Sequence, residues 1–262
     1  VAFLADGYTP ESIGQGLEAV RSRLAAVDAS LAGNNPANGA ANGIPRGAGW
    51  LHERSAAAVM LPLVSQYRVG GAALETGRVA IPRVELAITG EASMRKRHAP
   101  VVAFKHIFAE PDCPFERQIH AAIGTAERFA AEALGCGALA RLPREYRVSL
   151  PEIATLPASA AGIMTGGSAS LAFAIMCLAA ISRLDFGRLR LRPTEGTAFS
   201  GEIDASGAVH PIDGALIGEK VRAVFFSSCR RLVIARDNLA IAHSELARLA
   251  RAQAVDDQPR AD

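Results

Sequence analysis

Hydrophobic and polar positions alternate along this chain in two rhythms, one helical and one strand-like, and they divide it into segments. Leu17, Val20, Leu24, Val27 and Leu31 recur at three- and four-residue steps, so one face of a helix is apolar. Thr9-Pro10-Glu11 supplies its start signals and Gly33-Asn34-Asn35-Pro36 its stop. The Gly-, Asn- and Pro-rich stretch 38–49 reads as a flexible connection, which sets a domain boundary near residue 50: a helix and linker over 1–50, and a larger domain over 51–262.

From Ala57 onward the rhythm changes. Short apolar runs at Ala58 to Val64, Arg78 to Ile88 and Val101 to Phe108, bounded by Gly, Pro or charge, predict strands. Phe115, Ile119, Ile123, Ala126, Ala130 and Leu134 return to helical spacing, closed by Gly135. A strand is expected over Tyr146 to Leu150 and a loop over 151–167, followed by a wholly apolar helix at Leu171 to Ile181. Next come a strand at Ala198 to Ile203, a turn at Ala205-Ser206-Gly207, a helix from Gly214 to Phe226, a strand at Arg231 to Ala235 and a last helix from Leu239 to Ala250. Strands interleaved with helices predict an α/β (α+β) domain.

Composition narrows the function classes. Over 262 residues the formal charge is only +2 and the basic residues are scattered, so no nucleic-acid partner is expected. Arg95-Lys96-Arg97-His98, the one dense basic cluster, reads as a solvated loop or strand end. The run 171–181 is too short for the roughly 20 residues of a membrane span, so no membrane partner is expected. Cys113, Cys136, Cys177 and Cys229 lie far apart with no metal-ligand spacing, as in a reduced, cytoplasmic protein, and Cys177 reads as a buried apolar side chain. The histidines form no zinc motif. A chain that begins with Val1 is expected to have lost an upstream part, and any targeting signal with it.

The chemistry concentrates in two stretches. Gly166-Gly167-Ser168-Ala169-Ser170 stands before the apolar helix, so Ser168 is expected at a tight turn near a helix N-terminus, where amide N–H groups favour developing negative charge. Taken alone, a serine there reads as a helix cap. The second stretch holds Ser200-Gly201-Glu202-Ile203, then Gly207 to Gly214, then Glu219-Lys220.

Together these elements resemble, in order and closely in separation, the proteolytic domain of Lon proteases. That family reads approximately Gly-Pro-Ser-Ala-Gly, an apolar helix, Thr-Gly-Glu-Ile, a hairpin, Gly-x-Val-x-Pro-Ile-Gly-Gly and Glu-Lys. The similarity runs from about Arg78 to the last helix. It implies a Lon proteolytic domain-like fold of ribosomal protein S5 domain 2-like architecture, with an N-terminal helical extension. It implies a serine endopeptidase in which Ser168 is the nucleophile and Lys220 its base. Ser200, in the place of the family's threonine, is then expected to orient the lysine amine, with Glu202 as a structural or pocket carboxylate. Unfolded or delivered polypeptides are the implied substrates, and a homo-oligomeric, hexameric ring the implied assembly. No phosphate-binding Gly-x-x-x-x-Gly-Lys-Ser/Thr loop occurs, so no cofactor is expected in this chain; either an AAA+ module upstream of Val1 uses ATP, or the protease works without one.

The chain departs from the pattern at Thr165, Gly167 and Ser170 around the nucleophile, and at Arg147 and Ser149, where the family has histidines. Ser170 stays open as an alternative nucleophile and His210 as an alternative base. A catalytically silent Lon-like domain, serving as a scaffold or assembly module, is the alternative of a different class.

Overall fold

The computed structural model describes residues 51–69, 72–90, 97–105, 114–150, 166–184 and 190–256. The expected N-terminal helix and linker, the loop 151–165 with Thr165, and Cys113 lie outside the described residues. The described part is an α+β structure with four α-helices and several small sheets.

A four-stranded sheet carries the larger core. β1 (Leu51–Ala58) pairs antiparallel with β4 (Arg83–Gly90), β4 antiparallel with β6 (Arg144–Ser149), and β6 parallel with β5 (Val101–Lys105). The register aligns Ala57, Val84, Val148 and Phe104 across the four strands. Because successive side chains point to opposite faces, this row shares one face. It packs in a single apolar core with α1 (Pro114–Ala133) and α2 (Ser170–Ser182). Phe115 of α1 meets Phe173 of α2 edge-on, with ring centroids 6.0 Å apart, and Ser55 Oγ donates to the Ala180 carbonyl at 2.8 Å, tying β1 to α2. Cys177 lies in that core, where burial pushes its thiol pKa up.

A second, smaller core sits under α3 (Gly214–Phe225) and α4 (Leu239–Asp256), around Ile217, Val221, Val224, Leu232 and Ala242. Asp213 caps α3, its carboxylate accepting from the Ala215 amide at 3.0 Å. The hairpin of β2 (Leu61–Val69) and β3 (Ala72–Ala80) packs on α3. β7 (Thr197–Phe199) runs parallel to β10 (Arg231–Val233), and β8 (Glu202–Ile203) forms a small hairpin with β9 (Val209–His210).

Three expected strands are broken. Arg78 to Ile88 divides at Ile81-Pro82, because proline has no N–H for a ladder bond. Ala58 to Val64 divides at Val59-Met60, where the chain leaves the large sheet for the hairpin. Ala198 to Ile203 divides at Ser200-Gly201, where Gly201 turns its amide and carbonyl toward the segment around Ser168.

Candidate active site

The segment leading into α2 is a 3₁₀ turn over Gly167–Ala169 that continues directly into the helix at Ser170. Gly166 has ordinary extended angles, and Gly167 is not among the positive-φ glycines Gly135, Gly196 and Gly207. The tight turn expected at Ser168 therefore forms without left-handed glycine angles at these two positions. At Gly167 the space is tight: a Cβ would lie 3.1 Å from Gln118 Cγ and 3.1 Å from Glu202 Cδ, so these side chains would have to give by a few tenths of an ångström.

The interrupted strand holds this turn. The Gly201 amide donates to the Ser168 carbonyl at 2.9 Å, the Leu171 amide donates to the Gly201 carbonyl at 3.1 Å, and the Ser200 amide stays bonded to Val233 of β10. Ser168 is thus tied to both sheet and helix through a run of two residues.

Lys220 lies on the inward face of α3, its side chain almost wholly buried at 2% exposure. Its ammonium donates to Ser168 Oγ at 3.2 Å and to the Pro62 carbonyl at 2.7 Å. Burial lowers its pKa from 10.5 to about 8, since desolvation penalises the charged form. The two residues singled out for the dyad, 52 positions apart, are brought within hydrogen-bonding distance.

The other expected site residues are placed differently. Ser200 Oγ donates to the Ser168 carbonyl at 3.2 Å, and no hydrogen bond joins it to Lys220 among the described residues, so its hydroxyl steadies the Ser168 backbone. Pro62 O occupies the position beside the amine that sequence reasoning gave to Ser200. Glu202 accepts from Gln118 Nε2 on α1, next to Gly167. Gln118 and Pro62 were both missed: a backbone carbonyl has no residue signature, and Gln118 reads as one polar position on an amphipathic helix.

Ser170 is fully buried, with Oγ accepting from the Ile203 amide at 2.8 Å and donating to the Gly201 carbonyl at 3.4 Å. It is a structural bridge turned away from solvent. Ser170→Ala strands the buried Ile203 amide, which costs about 1–3 kcal/mol. Urea denaturation should show that loss while leaving the reactivity of Ser168 in the folded protein unchanged. His210 lies exposed on the β8–β9 hairpin with Nε2 2.7 Å from Asp204 Oδ2. The same carboxylate accepts from the Ser206 and Ala208 amides, and the Ser206 hydroxyl and His210 hold its pKa well below the usual carboxylate range. Arg147 pairs with Glu145 at 2.8 Å, and Ser149 Oγ donates to the Arg83 carbonyl at 3.4 Å, both across or along the large sheet. Asn238 pins the loop before α3, accepting from the Ile212 amide and donating to the Ile212 carbonyl, each at 2.9 Å.

No protein-family model matches the chain, and no curated protein matches it in sequence. Among the described residues no helix is long and apolar enough to cross a membrane.

Proposed function

We propose that the chain is a serine endopeptidase with a Ser168–Lys220 dyad, a divergent member of the Lon-like proteolytic domains, acting on unfolded or delivered polypeptide. The observation that carries this reading is a buried lysine amine 3.2 Å from a serine hydroxyl at a helix start.

A lysine serves as base only when neutral. With a pKa of about 8, roughly a tenth of Lys220 is neutral at pH 7, against well under a thousandth for a free lysine. In the neutral form the hydrogen bond reverses: Ser168 O–H donates to Nζ. As the Ser168 Oγ bond to the substrate carbonyl carbon forms, its proton passes to Lys220, and backbone amide N–H groups opening the 3₁₀ turn, which have no partner within that turn, are the donors this reading assigns to the oxyanion. The C–N bond then breaks, Lys220 returns the proton to the leaving amine, and an acyl-enzyme remains. Water attacks it with Lys220 again taking a proton; the bond from the acyl carbon to Ser168 Oγ then breaks, Lys220 returns the proton to Oγ, and the carboxylic acid is released.

In the same proposal the domain is the protease part of a homo-oligomeric, ATP-dependent machine in the cytoplasm, with the ATPase outside residues 51–262. Labelling with a fluorophosphonate probe tests the chemistry. Ser168 should react and Ser168→Ala should not. The rate should climb tenfold per pH unit below about 8 and level off above it, because the neutral amine is the active form. A folded protein that takes up no probe between pH 7 and 9.5 would support the silent scaffold instead.

A further inference from the structure

A neutral primary amine has two N–H bonds and one lone pair, so its competence as a base depends on where its hydrogens are held. At Lys220 one direction is fixed by the Pro62 carbonyl, 2.7 Å from Nζ, and Ser168 Oγ lies on another at 3.2 Å. Committing an N–H to Pro62 leaves the lone pair available to the serine. Pro62 stands at the root of the β2–β3 hairpin, paired with Val79.

The same hairpin also meets the helix backbone next to the lysine. β3 crosses α3 at Gly77, where a Cβ would fall well inside contact distance of the Glu219 carbonyl oxygen and 3.0 Å from Ala223 Cβ. Glu219 immediately precedes Lys220. The hairpin root is joined to the nucleophile's side of the site as well: Met60 O accepts from the Phe199 amide at 3.0 Å, one residue before Ser200, which bonds the Ser168 carbonyl.

We propose that the β2–β3 hairpin is the positioning element of the dyad, with the Pro62 carbonyl orienting the Lys220 amine toward Ser168 and the glycine-only crossing at Gly77 fixing the helix that carries it. This rests on the peptidase reading above. Neither residue touches the reacting atoms of a substrate; both act through Lys220. Proline at position 62 brings no N–H of its own to the lysine, so the hairpin offers the amine an acceptor alone.

The test uses the full chain labelled with ε-¹³C lysine. Lys96, Lys105 and Lys220 are its only lysines, so three signals suffice, and Lys220→Arg assigns the third. Replacing Leu63 by its α-hydroxy acid turns the Pro62–Leu63 amide into an ester, whose carbonyl accepts hydrogen bonds more weakly. The same replacement at Val64 controls for loss of a hairpin N–H. Expected at Leu63, and not at Val64, is a fall of about three- to tenfold in the proton affinity of Lys220, the size of one lost hydrogen bond. The fluorophosphonate labelling plateau should fall at least tenfold as well. Gly77→Ala should lower the same plateau at least tenfold in protein that still melts cooperatively; if that variant does not fold, the ester decides. A folded Leu63 ester whose labelling plateau matches the parent overturns the proposal, even with a shifted titration. Should the parent itself never label, the peptidase reading falls, and the Lys220 titration alone decides whether the hairpin holds the amine.

Discussion

Lys220→Arg will slow fluorophosphonate labelling of Ser168 by about 10²–10⁴-fold, the range expected when a positioned general base is lost. The substitution keeps a long cationic side chain that donates hydrogen bonds, so it removes little except the ability to become neutral. Burial brings the lysine pKa to about 8. A guanidinium stays protonated at any pH the fold tolerates and has no lone pair to offer the serine. The chain's own usage sharpens the comparison. Of its 28 basic residues only Lys96, Lys105 and Lys220 are lysines, so arginine is the habitual cation here. The one lysine described as buried is also the one against a serine hydroxyl. Lys220→Ala should fall as far, which makes arginine the more telling variant because charge is preserved. Intact-protein mass spectrometry over time, with circular dichroism to show retained fold, measures the effect. Labelling of Lys220→Arg at the parent's rate would remove Lys220 from the mechanism.

The parts of this site legible in the sequence are those written in side chains. The apolar helix after Ser168 is visible because every position from Leu171 to Ile181 is hydrophobic, and α2 is buried on nearly all sides. α1 is visible because Phe115, Ile119, Ile123, Ala126 and Ala130 form one stripe, and that stripe faces the core. The pairing of Ser168 with Lys220 was reached through the order of several short motifs, since nothing local to either residue reveals the other. What could not be read depends on backbone. Ser200 and Gly201 look like the middle of a strand, yet the amide and carbonyl of Gly201 leave the ladder to hold the 3₁₀ turn while the Ser200 amide stays bonded to Val233. The hairpin's far ends, through Ser65-Gln66-Tyr67-Arg68 and Glu75-Thr76-Gly77, carry too few apolar residues to signal two long strands. Gly77 gives no sign in sequence that a helix carbonyl passes where its side chain would be.

Lys220→Met should flatten the dependence of stability on pH between about 8 and 10.5. Unfolded, the lysine holds its proton to about 10.5; folded, it releases it at about 8. Below pH 8 both states are protonated, and the native state bears the full cost of a desolvated ammonium, about 3 kcal/mol at about 1.4 kcal/mol per pH unit. Between the two values the unfolded chain binds more protons, so the parent gains stability as pH rises; above 10.5 both states are neutral and the cost is gone. Methionine has comparable reach and no charge, so it removes that slope. It also leaves the Pro62 carbonyl and Ser168 hydroxyl without their partner, a loss of about 1–3 kcal/mol that offsets much of the gain at pH 7. The absolute difference between the two proteins at neutral pH is therefore small, and the diagnostic quantity is the change in that difference, about 3 kcal/mol from pH 7.5 to 10.5. Subtracting urea-denaturation curves of parent and variant at each pH cancels the other groups that titrate in this range. Parallel curves would mean that the amine is not desolvated in the folded state, and with it would go the neutral base on which the peptidase chemistry depends.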